Sequence, residues 1–336
     1  MNSFLKAALV TTTVLASGAA LAQTDLQIGL TLPQGMEGFD HVNGMFETFE
    51  REVEARTDGS IQVELVYGGT LGGPEDRLSQ VRRGTLQMSD VSEGAFATIF
   101  PDIQALSIPY LFPDEETAWA FFESDFADQL AARILEETGI RVLGWWEAGG
   151  FRHYSANQPI ETPADMAGLR MRVMGPVFAI PVEALGASAT PIPFNELYTS
   201  LQTGVVDGQD NAVNVFRLVR LYEVQDYLML DGHVYSFGPV IINDAFYQSL
   251  TPEEQQAIDA AAEAAVQYNR EASRAGEAEA LEFVQNEGVT VIEYDAEARA
   301  ELAELTQPAV IEWLRGEVSD PAFVDAVLEA VDAVAN

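Results

Sequence analysis

The chain has 336 residues, with 17 basic side chains against 53 acidic ones and no cysteine. A formal charge of −36 argues against nucleic acid, whose phosphates need clustered cations, and against polybasic attachment to a membrane. The missing cysteine excludes a disulfide framework, a thiol nucleophile and a lipid-bearing cysteine.

Residues 1–22 read as a secretory signal peptide: Lys6 precedes an apolar run from Ala7 to Leu15, and Ala20-Leu21-Ala22 offers a small-residue cleavage site. Cleavage after Ala22 leaves Gln23 first and 16 arginines against 53 carboxylates, a net of −37. No other apolar run approaches the ~20 residues of a membrane span. The mature chain is therefore expected outside the cytoplasmic membrane and not embedded in it. About 314 residues exceed what one core usually holds, so two lobes are expected.

Leu26, Ile28, Leu30 and Leu32 alternate as in a strand, and Val42, Met45, Phe46, Phe49 and Val53 recur at helical spacing over 40–56. Ile61 to Tyr67 reads as a second strand, completing a parallel crossover unit. The glycines of Gly68-Gly69-Thr70-Leu71-Gly72-Gly73 lack the Gly-Lys-Ser/Thr ending of a phosphate loop and read as a turn before a helix over 74–83. A strand over 86–91, a proline-punctuated connection through Ile108-Pro109-Tyr110, a helix over 115–137 and a strand over 141–146 follow. Strands are predicted at 169–174, at Val205-Val206 with a turn at Asp207-Gly208, at 227–230 and 240–242, and at 289–294. Helices are predicted at 176–185 and 194–203. Thr251-Pro252-Glu253-Glu254 caps a further helix that runs to about residue 285, long enough to brace both lobes, and two acidic helices end the chain.

No Gly-x-Ser-x-Gly is present, and His41, His153 and His233 lack metal-ligand spacing. Asp207-Gly208-Gln209-Asp210-Asn211 lacks the register of a calcium loop, so no metal and no cofactor are expected. Among 53 acids, accidental carboxylate pairs are too common to single out a glycosidase, and the chain reads as a binding protein, not an enzyme. What stands out is an anion-recognising stretch from Glu147 to Asn211. Arg170 and Arg172 share a side of their strand, and Arg152 precedes them. A guanidinium meets both oxygens of a carboxylate with a planar fork and stays charged when partly desolvated.

Several blocks in order carry a family resemblance. They are Tyr67-Gly68-Gly69-Thr70-Leu71-Gly72-Gly73, Ile108-Pro109-Tyr110-Leu111-Phe112, the run from Pro163 to Val173, Leu185-Gly186-Ala187-Ser188-Ala189-Thr190-Pro191, and above all the run from Phe194 to Asn211. Through them the chain resembles the extracytoplasmic solute receptors of tripartite ATP-independent periplasmic (TRAP) transporters, the DctP family. The resemblance implies an α/β fold: a two-lobe periplasmic binding protein, a clamshell with a long helix spanning both lobes. Lobe I is expected over 23–148 and 237–276, and lobe II over 149–236 and 277–336. It implies that Arg172 pairs with a substrate carboxylate, that Arg152 and Asn211 belong to the site, and that Phe194 forms an aromatic wall. Glu37, His41, Glu93, Trp146, Tyr235 and Phe237 are candidates for the variable part of the pocket.

The implied role is capture of a small-molecule carboxylate for TRAP membrane permease subunits, powered by an ion gradient. The alternative is a ligand sensor that presents its closed form to a signalling partner. Sialate-binding members carry an acid and a nearby arginine where this chain has Ser92 and Ala95. Ectoine-binding members carry a tryptophan where Arg170 stands. Both differences argue against those ligands.

Overall fold

The structure, a computed structural model, describes residues 23–35 and 40–335. The signal-peptide stretch lies outside them. The chain opens with β1 (Thr24–Gly29), α1 (Asp40–Arg56) and β2 (Ile61–Val66), and β1 pairs parallel with β2 as the alternation of patterns predicts. Val42, Met45, Phe46, Phe49 and Val53, the predicted stripe of α1, are all buried. Next come α2 (Pro74–Arg83), β3 (Met88–Ser89) and the single turn α3 (Glu93–Phe96). The helix predicted over 115–137 is two, α4 (Glu115–Phe122) and α5 (Asp125–Thr138). Ser124 breaks it by capping the second, its side chain accepting from the Ala127 amide.

β4 (Ile140–Ala156) is much longer than the predicted strand. It is followed by β5 (Arg170–Val173), α6 (Pro176–Ala184), β6 (Ser188–Pro191), α7 (Leu197–Gln202), β7 (Gly208–Asn211) and α8 (Val213–Leu218). The β6 strand was not predicted, because its four residues carry no apolar alternation. β7 starts where a turn was expected. The reason is close approach: a Cβ on Gly208 would lie 2.4 Å from the Ser155 carbonyl, so the glycine lets strands meet.

β8 (Tyr227–Asn243) likewise runs unbroken through the Gly232-to-Pro239 segment expected to separate two strands. Gly232 takes φ +63° and donates its amide to His153 Nδ1. Gly238 leaves room for the Trp146 indole, whose Nε1 lies 2.4 Å from where a Cβ would stand. These glycines bend a strand instead of ending it. The chain then forms α9 (Asp244–Ser249), α10 (Pro252–Asn286), β9 (Thr290–Glu293), α11 (Ala296–Glu317) and α12 (Ala322–Ala335).

The strands form one sheet in the order β2-β1-β3-β8-β4-β7-β5-β6, with β9 also on β8. β4 and β8 are its antiparallel spine. One end of β8, at Ile241 and Ile242, pairs with β3, and the other, Tyr227–Leu230, pairs with β9. His153–Ala156 of β4 pairs with β7. A register shift between Glu147 and Gly150 separates these regions, and Gly149 and Gly150 take φ +101° and +91° there.

The 35 residues of α10 measure about 52 Å at 1.5 Å per residue. Its start carries the expected cap, with Thr251 N–H donating to Glu254 Oε2 and Glu254 N–H to Thr251 Oγ. Ile258, Ala261 and Ala265 join the core built on Phe46, Phe49 and Trp146, whereas Ala280 and Val284 join the one built on Leu197 and Phe216. α10 therefore spans both halves of the sheet. At its middle Asn269 is fully buried. Its Oδ1 accepts from Glu147 N–H at 2.7 Å, and its Nδ2 donates to the carbonyls of Glu147 at 3.0 Å and His41 at 2.7 Å.

Removing that side chain leaves a buried amide and two carbonyls short of a partner. Asn269→Leu is expected to destabilise the protein by about 3–5 kcal/mol, lowering its melting midpoint by on the order of 10 °C. Gln267→Leu, at an exposed position on the same helix, should change it little. Thermal unfolding by circular dichroism compares the two.

Candidate functional site

The carboxyl ends of parallel strands from the two halves of the sheet face one another, the usual place for a ligand in an open α/β sheet. Thr31 after β1, the Gly68–Gly73 loop after β2 and Ser92 to Ala95 after β3 form one wall. Arg172 and Met174 of and after β5, with Pro191 to Asn195 after β6, form the other. The cleft between them holds about 760 Å³.

Arg77, which the sequence did not single out, fixes the first wall. Its guanidinium is 1% exposed, pairs with Asp90 at 2.7 Å, and donates to the Gly72 carbonyl at 2.7 Å and Thr31 Oγ at 2.6 Å. It thereby ties three strand ends into one surface.

Arg172 is the exception on the second wall. It is 3% exposed, and its Nε donates to the Ile192 carbonyl at 2.9 Å. Its Nη1 is buried without a hydrogen-bond partner, and among the described residues it forms no ion pair. Burial lowers its pKa to about 10, with Asp210 opposing that shift, so it remains charged at neutral pH. Arg170, two residues earlier, is exposed and paired with Asp207 at 2.6 Å, as a structural arginine would be.

Arg152 has a counter-ion. Strands β8, β4 and β7 lie side by side, which brings His233, Arg152 and Asp210 together. Arg152 Nε meets Asp210 Oδ2 at 2.5 Å and Nη2 meets the Asp210 carbonyl at 2.6 Å. Burial alone would lower the pKa of Arg152, but Asp210 more than offsets it. Burial would likewise raise Asp210, yet Arg152 and His233 hold its carboxyl well below the usual range. His233 spans two carboxylates, Asp231 at 2.7 Å from Nδ1 and Asp210 at 3.3 Å from Nε2, and stacks on Tyr154 at 4.1 Å. Burial opposes its protonation, but the two acids win and its pKa rises to about 9. His153 is the opposite case: its Nδ1 accepts from Gly232 N–H, and burial lowers its pKa to about 4.

The remaining predicted site residues scatter. Phe194 stands 38% exposed on the cleft wall. Asn211 is buried on β7 beside His153, donating to Gln209 Oε1. Trp146 packs into the core under α1, and Nε1 is buried without a partner. His41 is buried where α10 meets Gly149, and burial lowers its pKa to about 4. Glu93 is buried at the start of α3. Glu37 lies outside the described residues. Tyr235 and Phe237 stand apart from the residues that line the cleft. Tyr235 bonds Glu147 and Trp119, and Phe237 packs on Phe122 and Trp145. Their alternation on β8 turns them toward the aromatic core.

The His233 pairing fixes a pH dependence. A folded pKa above the unfolded value makes its stabilisation complete below about pH 6.5 and lost as pH rises through about 9. Wild type should lose on the order of 2–3 kcal/mol from this residue across that window, and His233→Gln should lack that slope. Urea unfolding at stepped pH tests it.

Against this geometry, the sequence profile of the bacterial extracellular solute-binding proteins, family 7 (DctP) matches residues 39–316. The 2,3-diketo-L-gulonate-binding periplasmic protein of Escherichia coli is 31% identical, over 95% of this chain and 94% of its own. A TRAP periplasmic solute-binding protein from Ochrobactrum anthropi superposes with a TM-score of 0.85 at 31% identity, covering 94% of this chain and 97% of that one. The sugar-acid-binding protein of Advenella mimigardefordensis, in complex with galactonate, gives 0.84 at 28% identity over 93% and 99%. With its profile matched across most of the chain and its two-lobed α/β frame shared with these structures, the chain belongs to family 7 of the bacterial extracellular solute-binding proteins, the DctP family.

Proposed function

We propose that this protein is a periplasmic receptor that holds a small organic acid in the cleft and delivers it to the membrane subunits of a TRAP-type secondary transporter. One observation carries the reading: a buried, charged guanidinium, Arg172, lines a cleft formed by strand ends from both halves of the fold and leaves one of its donors unpartnered. A buried cation without a counter-ion is costly, and a ligand carboxylate removes that cost with a bidentate pair. The relatives support the class, since proteins similar over nearly the whole chain are named for diketogulonate or hold galactonate. No helix among the described residues is long and apolar enough to cross a membrane, which suits a receptor that meets its permease from outside.

In this reading lobe I comprises 23–148 and 237–276, and lobe II 149–236 and 277–336. Those boundaries coincide with the register shift near Glu147 and Gly150 on β4 and with its partners Phe237 and Ser236 on β8. Bending there brings the Arg77-braced wall toward Arg172. The ligand touches both walls and so favours the closed form, which the permease then recognises. Arg152, engaged by Asp210, sets the field beside Arg172. Phe194 covers the cleft side and Asn211 supports the floor.

Arg172→Ala is expected to weaken carboxylate binding by on the order of 2–5 kcal/mol, with Arg172→Lys intermediate because it keeps the charge and loses the fork. The measurement is a thermal-shift screen of unfolded and refolded protein against organic acids, followed by calorimetry on the best ligand. Affinity unchanged in Arg172→Ala would remove the anchor on which this reading stands.

A further inference from the structure

Beyond the contact between Gly94 and Met174, where the methionine methyl lies 4.0 Å from the place of a Gly94 Cβ, the cleft adjoins a second recess of about 300 Å³. Glu93 and Ser107 line one side, Gly175 to Phe178 the other, and the exposed Glu317 stands at its mouth. Glu93 and Ser107 are each 2% exposed. Neither carboxylate oxygen of Glu93 has a hydrogen-bond partner of good geometry, and neither does the Ser107 hydroxyl. Buried polar groups are nearly always paired, and a carboxyl short of well-formed hydrogen bonds in the same recess as an unpaired hydroxyl marks missing donors and acceptors. Arg152 links this recess to the anchor: it stands over the Phe178 ring, and its charge bears on both Glu93 and Arg172.

Resting on the receptor reading, we infer that the ligand is a hydroxylated monocarboxylate whose carboxylate meets Arg172 and whose hydroxyl-bearing carbons reach Glu93 and Ser107. A dicarboxylate fits the same groups less well. Its second carboxylate would find no spare cation, because Arg152 and His233 are already bound to Asp210 and Asp231, and would have only a proton taken up by Glu93 to receive it. A hydroxyl matches both partners, donating to one and accepting from the other. Burial raises the Glu93 carboxyl to about 7, against the pull of Arg152 and the backbone amides of Glu93 and Gly94, while Asp210 adds to the rise. An incoming anion raises it further, so binding is accompanied by proton uptake at Glu93, and affinity declines as pH rises above about 7.

The test is calorimetry on refolded protein with hydroxy acids (lactate, glycerate, galactonate), their deoxygenated counterparts (propionate, hexanoate) and succinate. At least one hydroxy acid should bind about 100-fold more tightly than its counterpart and than succinate. Glu93→Leu should cost that acid tenfold or more and leave the deoxygenated acid unchanged. Glu93→Gln should abolish the proton uptake seen by comparing buffers of different ionisation enthalpy, and should narrow the gap to succinate. Both variants should melt at or above wild type without ligand, since the unpaired carboxyl is destabilising in the empty site. The proposal is overturned if no hydroxy acid outbinds its counterpart, if succinate binds best, or if the Glu93 variants melt well below wild type. Failure of the receptor reading looks different: there, no acid binds, or Arg172→Ala binds as wild type does. Tight, Arg172-dependent binding that ignores Glu93 would leave the receptor standing and remove only this inference.

Discussion

Two arginines lie in the same dry interior, and only one of them has its counter-ion. Arg152 is held by Asp210, which His233 also contacts, whereas Arg172 has a single carbonyl on its Nε and a bare Nη1. That asymmetry is what gives the cleft a chemistry. Had a second acid stood within reach of Arg172, the protein would be more stable when empty and blind to anions. The Arg152–Asp210–His233 arrangement keeps the nearest acid occupied, so Asp210 eases the burial of Arg172 without neutralising it. In the proposed receptor, the stability given up at one buried cation is recovered when a ligand arrives.

The frame makes this asymmetry usable from two sides. β4 and β8 cross the whole sheet, and α10 lies across both halves with Asn269 fastened to the backbone of Glu147. The bend at Gly149 and Gly150 is thus braced by hydrogen bonds from one side chain at the helix centre, while the strand ends remain free to face each other. On the first wall, Arg77 does for the glycine loop what Asn269 does for the bend. Both use a buried polar side chain with every geometry fixed, which restricts motion to the crossing strands.

Much of this was legible from the sequence where a period was long. α1, α2 and α10 follow from apolar spacing and cap residues, and Arg170 and Arg172 stood out together on one side of a strand, with the family resemblance alone choosing Arg172 between them. The failures have physical causes. Gly232, Gly238 and Pro239 read as strand breakers, yet they sit in a sheet whose neighbours supply the side chains that fill their gaps. Tyr235 and Phe237 share one face of β8, and that this face meets the aromatic core is set by tertiary packing, which alternation alone does not reveal. Asn269 was missed although a signal existed: it falls on the buried stripe of α10 running through Ile258, Ala261, Ala262 and Ala265 to Ser273. A polar residue on such a stripe must have a partner elsewhere in the fold. Arg77 on α2 gave no comparable sign, because its partners come from β1, β3 and a loop.

The acidity of the chain sharpens the demand on this site. A net charge of −36 repels an anion at long range, yet salt screens exposed charges beyond about 8 Å. The arginines act inside that distance and away from water, where their fields are least screened. Surface charge therefore bears mainly on the rate of encounter, and the buried pair on how long the ligand stays. Selectivity then falls to groups with no charge to spare. Around Arg172, those are the apolar Met174 and Phe194 and the loop held by Arg77, with the unpaired oxygens of Glu93 and Ser107 behind them. In the proposed receptor, a ligand is sorted there less by its carboxylate, which any acid supplies, than by whether the rest of it satisfies polar atoms that the empty protein leaves alone.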